Sequence, residues 1–198
     1  MDYADDDKVL EFAETTRRFI LDDLARMLDM PVGGNFAVAG LIGAGCEALG
    51  QLRGLKGAYP GAPVLAEILP AAYQPVAESL LKAMRNGLLH NYWPNEIKIG
   101  DTLIRLSISW RETPHLSWHT DEDGVPTLVL RAPDLVAGLH ERWAVFARLL
   151  EHRDADALAS ARRDLQKHGR RDTIAAAQPE GRAWLRLLDE HAPATPPG

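Results

Sequence analysis

Residues 35–53 of the 198-residue chain read NFAVAGLIGAGCEALGQLR, its most apolar helical stretch. It is almost wholly apolar until Glu47, and it follows MPVGG, whose proline and glycines end a preceding helix. Asn35 is a residue type that caps the first turn of a helix. A helix that is apolar on all sides must be covered by other elements. We therefore expect a buried central helix with further helices packed around it.

Helical periodicity in the rest of the chain predicts the elements that cover this central helix. Apolar residues recur with helical spacing in segments at about residues 6–28, 64–69, 74–89, 133–152, 154–167 and 184–188. Pro94 disfavours helical geometry at Trp93, so we expect the helix over 74–89 to end at or just before His90.

A change of period marks a small sheet between these helices. LIRLSISW, residues 103–110, alternates with period two, and HLSWHTDEDGVPTLVLR, residues 115–131, predicts two short strands around a DEDG turn. The predicted fold is mainly α, with a small antiparallel sheet of two to four strands inserted at roughly residues 97–131. Helices follow at about 133–190. We expect one domain over residues 1–192 and a disordered tail at 193–198.

Composition narrows the class of protein. Apolar residues make up 46% and charged residues 25%, which is ordinary for a globular domain. The net charge of −6 argues against nucleic-acid binding over the whole surface, while a local basic groove remains compatible with it. Cys46 is the single cysteine, which fits a reducing compartment. No apolar run reaches the roughly 18 residues of a membrane span. We expect a cytoplasmic protein that does not bind membranes.

The glycines of the central helix invite a nucleotide-binding interpretation. Gly40, Gly43 and Gly45 lie in AGLIGAGCEALG, but no lysine-serine or lysine-threonine pair follows and no strand precedes them. Small residues in an apolar helix more simply allow neighbouring helices to approach closely. Cys46, in the same helix, is expected to be buried and unreactive.

Two histidines could in principle share a metal ion. His115 and His119 are four residues apart, a spacing that places them on one side of a strand, with Asp121 and Glu122 close behind. No further cysteine or histidine completes a recognised ligand spacing. A metal-dependent hydrolase therefore stays an alternative, and we expect neither a metal nor a cofactor.

A basic stretch, RRDLQKHGRRD, follows near the end of the chain. Its acidic neighbours favour a solvated helix face. If the protein binds RNA, however, its cations are candidate phosphate contacts. These are Arg162, Arg163, Lys167, Arg170 and Arg171.

The strongest candidate site is RNGLLHNY, residues 85–92. Arg85 supplies a permanent planar cation that can hold a phosphate through two hydrogen bonds. His90 can exchange protons near neutral pH, and Asn86 can hold a phosphate or the imidazole. Arginine with histidine suits phosphate chemistry in which the substrate supplies the nucleophile, as the 2′-hydroxyl of RNA does. Alternatively, Arg85 and Asn86 solvate a helix end and His90 caps its carbonyls.

The spacing of this motif favours two copies over one. Five residues of ideal helix turn through about 500°, so Arg85 and His90 point about 140° apart. One copy forms a good site only if the helix unwinds at Gly87 or beyond Leu89. Two copies across a twofold axis would bring two arginines and two histidines to one cleft, so we expect a homodimer.

RNGLLHNY also resembles the signature of the HEPN superfamily of helical proteins. Arg85 stands at the arginine of that signature, Asn86 at its polar position and His90 at its histidine, while Tyr92 extends the match to the R-x4-H-x-Y form of HEPN toxins paired with nucleotidyltransferase antitoxins. The resemblance implies a HEPN-like helical bundle and a dimeric, metal-independent endoribonuclease that leaves a 2′,3′-cyclic phosphate.

The same resemblance implies roles and partners. His90 would be the general base or acid, Arg85 would stabilise the phosphorane, and Asn86 would orient the substrate or the histidine. Tyr92 would be a site of modification or substrate contact. The biological setting would be a toxin or phage-defence effector with an antitoxin or another protein partner. The alternative is a catalytically inactive HEPN-like module that binds a partner protein or a nucleotide.

Overall fold

A computed structural model describes residues 5–30, 35–91, 96–110, 113–168 and 182, without the side chains of residues 35, 86–91 and 168. The chain divides into two compact units, residues 1–166 and residues 167–198, and nearly all described residues belong to the first. Whether residues 167–192 extend the same domain stays a prediction.

The described residues are mainly helical, as predicted. A single turn of 3-10 helix, Gln74–Val76, leads into the fourth α-helix. The α-helices are α1 (Asp6–Leu28), α2 (Asn35–Leu52), α3 (Ala62–Ile68), α4 (Ala77–Asn91), α5 (Ala132–Glu151) and α6 (Ala155–His168). The predicted last helix, around residues 184–188, and the predicted tail lie outside the described residues. No described helix is both long enough and apolar enough to cross a lipid bilayer.

Helix α2 is the central element, which confirms the prediction from residues 35–53. It packs against α1, α3, α4 and α5. A Cβ atom built on Gly45 would lie 2.7 Å from Leu139 Cδ2 on α5 and 3.0 Å from Ile20 Cγ2 on α1, so the absence of a side chain lets both helices approach. The packing interpretation of the α2 glycines is thus confirmed at Gly45. Cys46 is buried in the same core, as expected.

The predicted small sheet is present, with one difference in its pairing. Its strands are β1 (Ile97–Ile99), β2 (Thr102–Ser109), β3 (Ser117–Thr120) and β4 (Pro126–Arg131), in the order β1-β2-β4-β3. The outer pairs are antiparallel, but β2 and β4 run parallel, so the sheet is mixed rather than wholly antiparallel. After β2 the chain forms β3 at the edge of the sheet, and β4 then pairs between β2 and β3. Strand β4 therefore points the same way as β2.

The predicted DEDG turn joins β3 to β4. Asp121 Oδ1 accepts hydrogen bonds from the N–H groups of Asp123 (3.0 Å) and Val125 (2.8 Å). Gly124 has a φ of +79°, which a glycine adopts without strain. Arg105 on β2 reaches this turn and pairs with Asp121 and Asp123. The hairpin is thereby tied to the neighbouring strand.

The sheet and the helices share one core. Leu106 and Ile108 of β2 and Leu128 and Leu130 of β4 belong to the same buried cluster as the helical residues. Strand β4 ends at Arg131 and α5 begins at the next residue, so no loop separates them. The inserted sheet is therefore an integral part of the first compact unit.

Candidate functional site

Arg85 directly follows a buried stretch of α4. Leu80, Leu81 and Met84 bury one face of α4 completely or almost completely. The next residue, Arg85, has a side chain that is 40% exposed. The helical stripe of apolar residues therefore anchors the backbone, while the guanidinium reaches the surface.

Helix α4 continues past the point where the sequence predicted its end. It runs through His90 to Asn91, so the prediction that it ends at or before the histidine is wrong. The restriction from a proline acts on the single residue before it, which here is Trp93. Residues 90 and 91 are free of that restriction and extend the helix.

The continuous helix determines how the motif is arranged in one chain. Arg85, Asn86 and His90 share α4, and the helix does not unwind at Gly87 or after Leu89. At about 100° per residue, the Cα–Cβ directions of residues 85 and 90 differ by about 140° around the axis. The side chains of Asn86 and His90, and all of Tyr92, lie outside the described structure.

Arg85 forms an ion pair with a buried carboxylate. Its Nη1 donates to Glu47 Oε1 at 3.3 Å, across from α4 to α2. A guanidinium carries five N–H donors, and within the described residues this is the one side-chain hydrogen bond that Arg85 makes. The remaining donors can bind water or an anionic ligand.

Glu47 also accepts a hydrogen bond from the segment that precedes α3. Its side chain is 9% exposed, and its Oε2 accepts a hydrogen bond from the Gly61 N–H at 3.3 Å. Gly61 precedes the first residue of α3. A Cβ atom at Gly61 would lie 2.6 Å from the Glu47 nitrogen, so only a glycine lets this loop approach α2 so closely. The carboxylate thus joins α2, α3 and α4.

Burial shifts the pKa of both titratable groups in this part of α2 upward. Burial raises the pKa of Glu47 above its usual value, and the hydrogen bond from Gly61 and the charge of Arg85 offset this only in part. Burial, together with the nearby Glu47 charge, raises the pKa of the Cys46 thiol to about 12. Cys46 therefore remains a thiol at neutral pH and is not a nucleophile, as expected.

The basic stretch near the end of the first unit is partly engaged in intramolecular contacts. Arg162 pairs with Asp6 at the start of α1, and Arg163 Nη2 donates to Ser160 Oγ at 2.8 Å. Lys167 is exposed on α6, while Arg170 and Arg171 lie outside the described residues. Contact of these cations with RNA phosphates stays a prediction.

The two histidines of the alternative metal site lie in different surroundings. His115 lies in the turn before β3, and its Nδ1 accepts a hydrogen bond from the Arg131 N–H at 3.0 Å. His119 is exposed on β3. Among the residues that the structure describes, no three His, Cys, Asp or Glu side chains are grouped so that they could hold a metal ion.

A groove of about 370 Å³ lies between α1 and α5. Its walls are mainly apolar and include Leu10, Trp143, Phe146 and Leu150. The rim carries the Glu14–Arg17 ion pair, with an N–O distance of 2.6 Å. Arg85, the motif residue whose side chain the structure describes, does not line this groove.

Sequence reasoning missed Glu47 as a part of the site. The available signal was its isolation, because it is the one charged residue between positions 36 and 52. A charge in an otherwise apolar, buried helix needs a partner. The partner, Arg85, is 38 residues away, and no local pattern connects the two.

Comparisons with known proteins add no family to these observations. No family model matches the chain, and no curated protein or solved structure matches it either.

Proposed function

We propose that the protein is a metal-independent endoribonuclease of HEPN type that acts as a homodimer. The observation that carries the proposal is Arg85, a partly exposed guanidinium on an uninterrupted helix that also bears Asn86 and His90. Permanent positive charge beside a group that exchanges protons near neutral pH suits phosphodiester cleavage.

In the proposed reaction the RNA supplies its own nucleophile. One His90 removes the proton from a 2′-hydroxyl, and that oxygen attacks the adjacent phosphorus. Arg85 stabilises the charge on the phosphorane. The bond to the 5′-oxygen then breaks, and the leaving oxygen takes a proton from the second His90 or, more slowly where only one histidine is present, from water, which is in turn reprotonated by the imidazolium. The products are a 2′,3′-cyclic phosphate and a 5′-hydroxyl, and Asn86 orients the substrate or an imidazole.

The continuity of α4 supports the use of two copies. One straight helix directs residues 85 and 90 about 140° apart, which is a poor arrangement for gripping a single phosphate. A twofold axis near the end of α4 would place the Arg85 of one copy beside the His90 of the other. The proposed setting is a cytoplasmic toxin or phage-defence effector, with an antitoxin or other protein partner and with Tyr92 as a point of modification or substrate contact.

Cleavage of RNA by the purified chain in the presence of EDTA tests this function. We expect cyclic-phosphate ends, and a loss of at least about 100-fold in rate for Arg85→Ala and for His90→Ala. Lys82→Ala and His140→Ala are matched controls, because both residues are exposed on helices α4 and α5 and neither belongs to the motif. No cleavage by the parent, or equal cleavage by His90→Ala, would contradict the proposal.

Mixing two inactive variants tests the shared site. A dimer of one Arg85→Ala copy and one His90→Ala copy retains one arginine and one histidine. If the cleft is composite, the mixture cleaves RNA faster than either variant alone, and sedimentation shows a dimer. A chain that cleaves RNA as a monomer would rule out the composite cleft.

The alternative is a catalytically inactive HEPN-like module. Two observations favour it: Glu47 already neutralises Arg85, and the apolar groove between α1 and α5 offers a surface for a partner. This alternative predicts that Arg85→Ala and His90→Ala leave partner binding intact. It also predicts that Leu10→Asp, at a partly buried position that lines the groove, abolishes partner binding.

A further inference from the structure

The Glu47 carboxylate is the part of the candidate site that the proposed chemistry does not use. It touches Arg85 with one oxygen and the Gly61 N–H with the other, at 3.3 Å each. Its side chain is almost fully buried, so water screens its charge weakly on that side. A fixed negative charge therefore lies against the guanidinium that would bind a phosphate.

The contact between Glu47 and Arg85 is one-sided. Arg53 and Glu67 show the stronger arrangement, with two parallel hydrogen bonds of 3.0 and 2.7 Å. Arg85 uses one nitrogen at 3.3 Å, and its side chain remains 40% exposed. An anion can thus approach the guanidinium from the solvent side without first removing the carboxylate.

An approaching phosphate experiences both members of the pair. It is attracted by Arg85 and repelled by Glu47, and the two charges lie within a few ångströms of each other. We propose that Glu47 is an internal counter-ion that determines how tightly Arg85 binds a phosphate group. The inference rests on the proposed function only in taking an RNA phosphate as the natural anion.

The surroundings of Glu47 favour a neutral replacement at this position. Burial raises the pKa of Glu47, which means that the folded protein stabilises an uncharged side chain there relative to the carboxylate. Glutamine keeps the shape and retains an oxygen that can accept from the Gly61 N–H. Glu47→Gln therefore removes the charge while it preserves the packing of α2 against α3.

The test measures binding of inorganic phosphate and of a 2′-O-methyl RNA oligonucleotide, which cannot be cleaved because it has no free 2′-hydroxyl. We expect Glu47→Gln to bind both about tenfold more tightly than the parent, since a unit charge close to the anion is removed. Glu67→Gln is the matched control, because it removes the same charge from a different arginine pair and leaves the affinity unchanged. Equal affinities of Glu47→Gln and the parent would overturn the inference.

A second pair of variants shows whether the gain acts through Arg85. In an Arg85→Gln background, the substitution Glu47→Gln must no longer raise the affinity; a gain that persists there overturns the inference. Thermal unfolding reports whether each variant folds. If Glu47→Gln does not fold, Glu47→Asp replaces it. Its carboxylate is one carbon shorter and withdraws from Nη1, so a smaller gain in the same direction is expected, and no gain overturns the inference.

The outcomes separate this inference from the nuclease proposal. If the parent does not cleave RNA but Glu47→Gln binds phosphate more tightly, the nuclease fails and the counter-ion stands. If the parent cleaves RNA but Glu47→Gln binds no more tightly, the counter-ion fails and the nuclease stands. If both hold, Glu47→Gln lowers KM for RNA by about the same tenfold factor.

Discussion

At the scale of single residues, Glu47 connects three helices through two weak contacts of 3.3 Å. Its isolation in an apolar helix was visible in the sequence, but its partners were not. A buried carboxylate can be met by a cation, by backbone N–H groups or by its own protonation. Which of these occurs depends on residues brought near by folding, here Gly61 and Arg85.

The raised pKa of Glu47 predicts how stability changes with pH. Above its unfolded value, near 4.5, the carboxylate ionises first in the unfolded chain. The stability that Glu47 contributes is therefore complete below pH 4.5 and is lost as the pH rises through the higher folded pKa. Urea unfolding across this range should show the parent losing free energy of unfolding relative to Glu47→Gln. A relative gain for the parent with rising pH would contradict the assignment.

The lowered pKa of His115 predicts that stability changes with pH in the opposite direction. Burial lowers its pKa below the usual 6.5, and the nearby Arg131 adds to this, although Asp134 opposes it. The neutral ring accepts the Arg131 N–H, so its contribution to stability is present above pH 6.5 and is lost as the pH falls through the folded pKa. NMR titration should give a midpoint below 6.5 for this imidazole. The spectrum of His115→Asn identifies the resonance, and a midpoint above 6.5 would contradict the buried hydrogen bond.

At the scale of elements, the sequence predicted the helices better than the strands. Periodicity and the breakers around it are local, and α1 has the predicted bounds, Asp6–Leu28. The end of α4 was misplaced because the influence of Pro94 was extended too far along the chain. The parallel pairing of β2 with β4 was not predictable from alternation, since the same pattern fits either direction.

Replacement of two glycines of α2 by alanine should have different effects on the free energy of unfolding. A Cβ atom at Gly50 would lie 2.0 Å from the Pro60 carbonyl oxygen, whereas at Gly43 the nearest atom, Leu81 Cδ1, lies at an ordinary 3.7 Å. Gly50→Ala should lower the free energy of unfolding by about 2–3 kcal/mol because the Pro60 backbone must move. Gly43→Ala, the matched control, should be neutral or stabilise by up to about 1 kcal/mol. Chemical denaturation of both variants provides the comparison, and a harmless Gly50→Ala would contradict the close approach.

At the scale of the whole molecule, some ion pairs join residues that are far apart in the sequence. Asp6 pairs with Arg153 and Arg162, so the start of α1 is tied to the turn between α5 and α6 and to α6 itself. No local pattern indicates this pairing, and by its local charge alone Arg162 is a candidate RNA contact instead. The general class, a helical bundle with an inserted sheet, was predictable because it follows from periods and composition. The pairing of charges was not.

The buried core predicts that the chain cannot lose α6 without losing stability. All described core residues lie between Val9 and Ala161, within the first compact unit. A chain that ends after Glu151 loses the buried Leu158 and Ala161 of α6 and should melt on the order of 10 °C lower than the full chain. Circular dichroism on heating measures the difference, and an unchanged midpoint would contradict this role of α6.

The direct passage from β4 into α5 has a mechanical consequence. A hinge requires a few residues whose dihedral angles are free to change, and here the junction has none. Arg131 is held by its N–H on His115, and Pro133 fixes its own φ within the first turn. This junction therefore does not act as a hinge between the sheet and the helices. A force that a partner exerts on the β3–β4 hairpin would therefore be transmitted directly to α5.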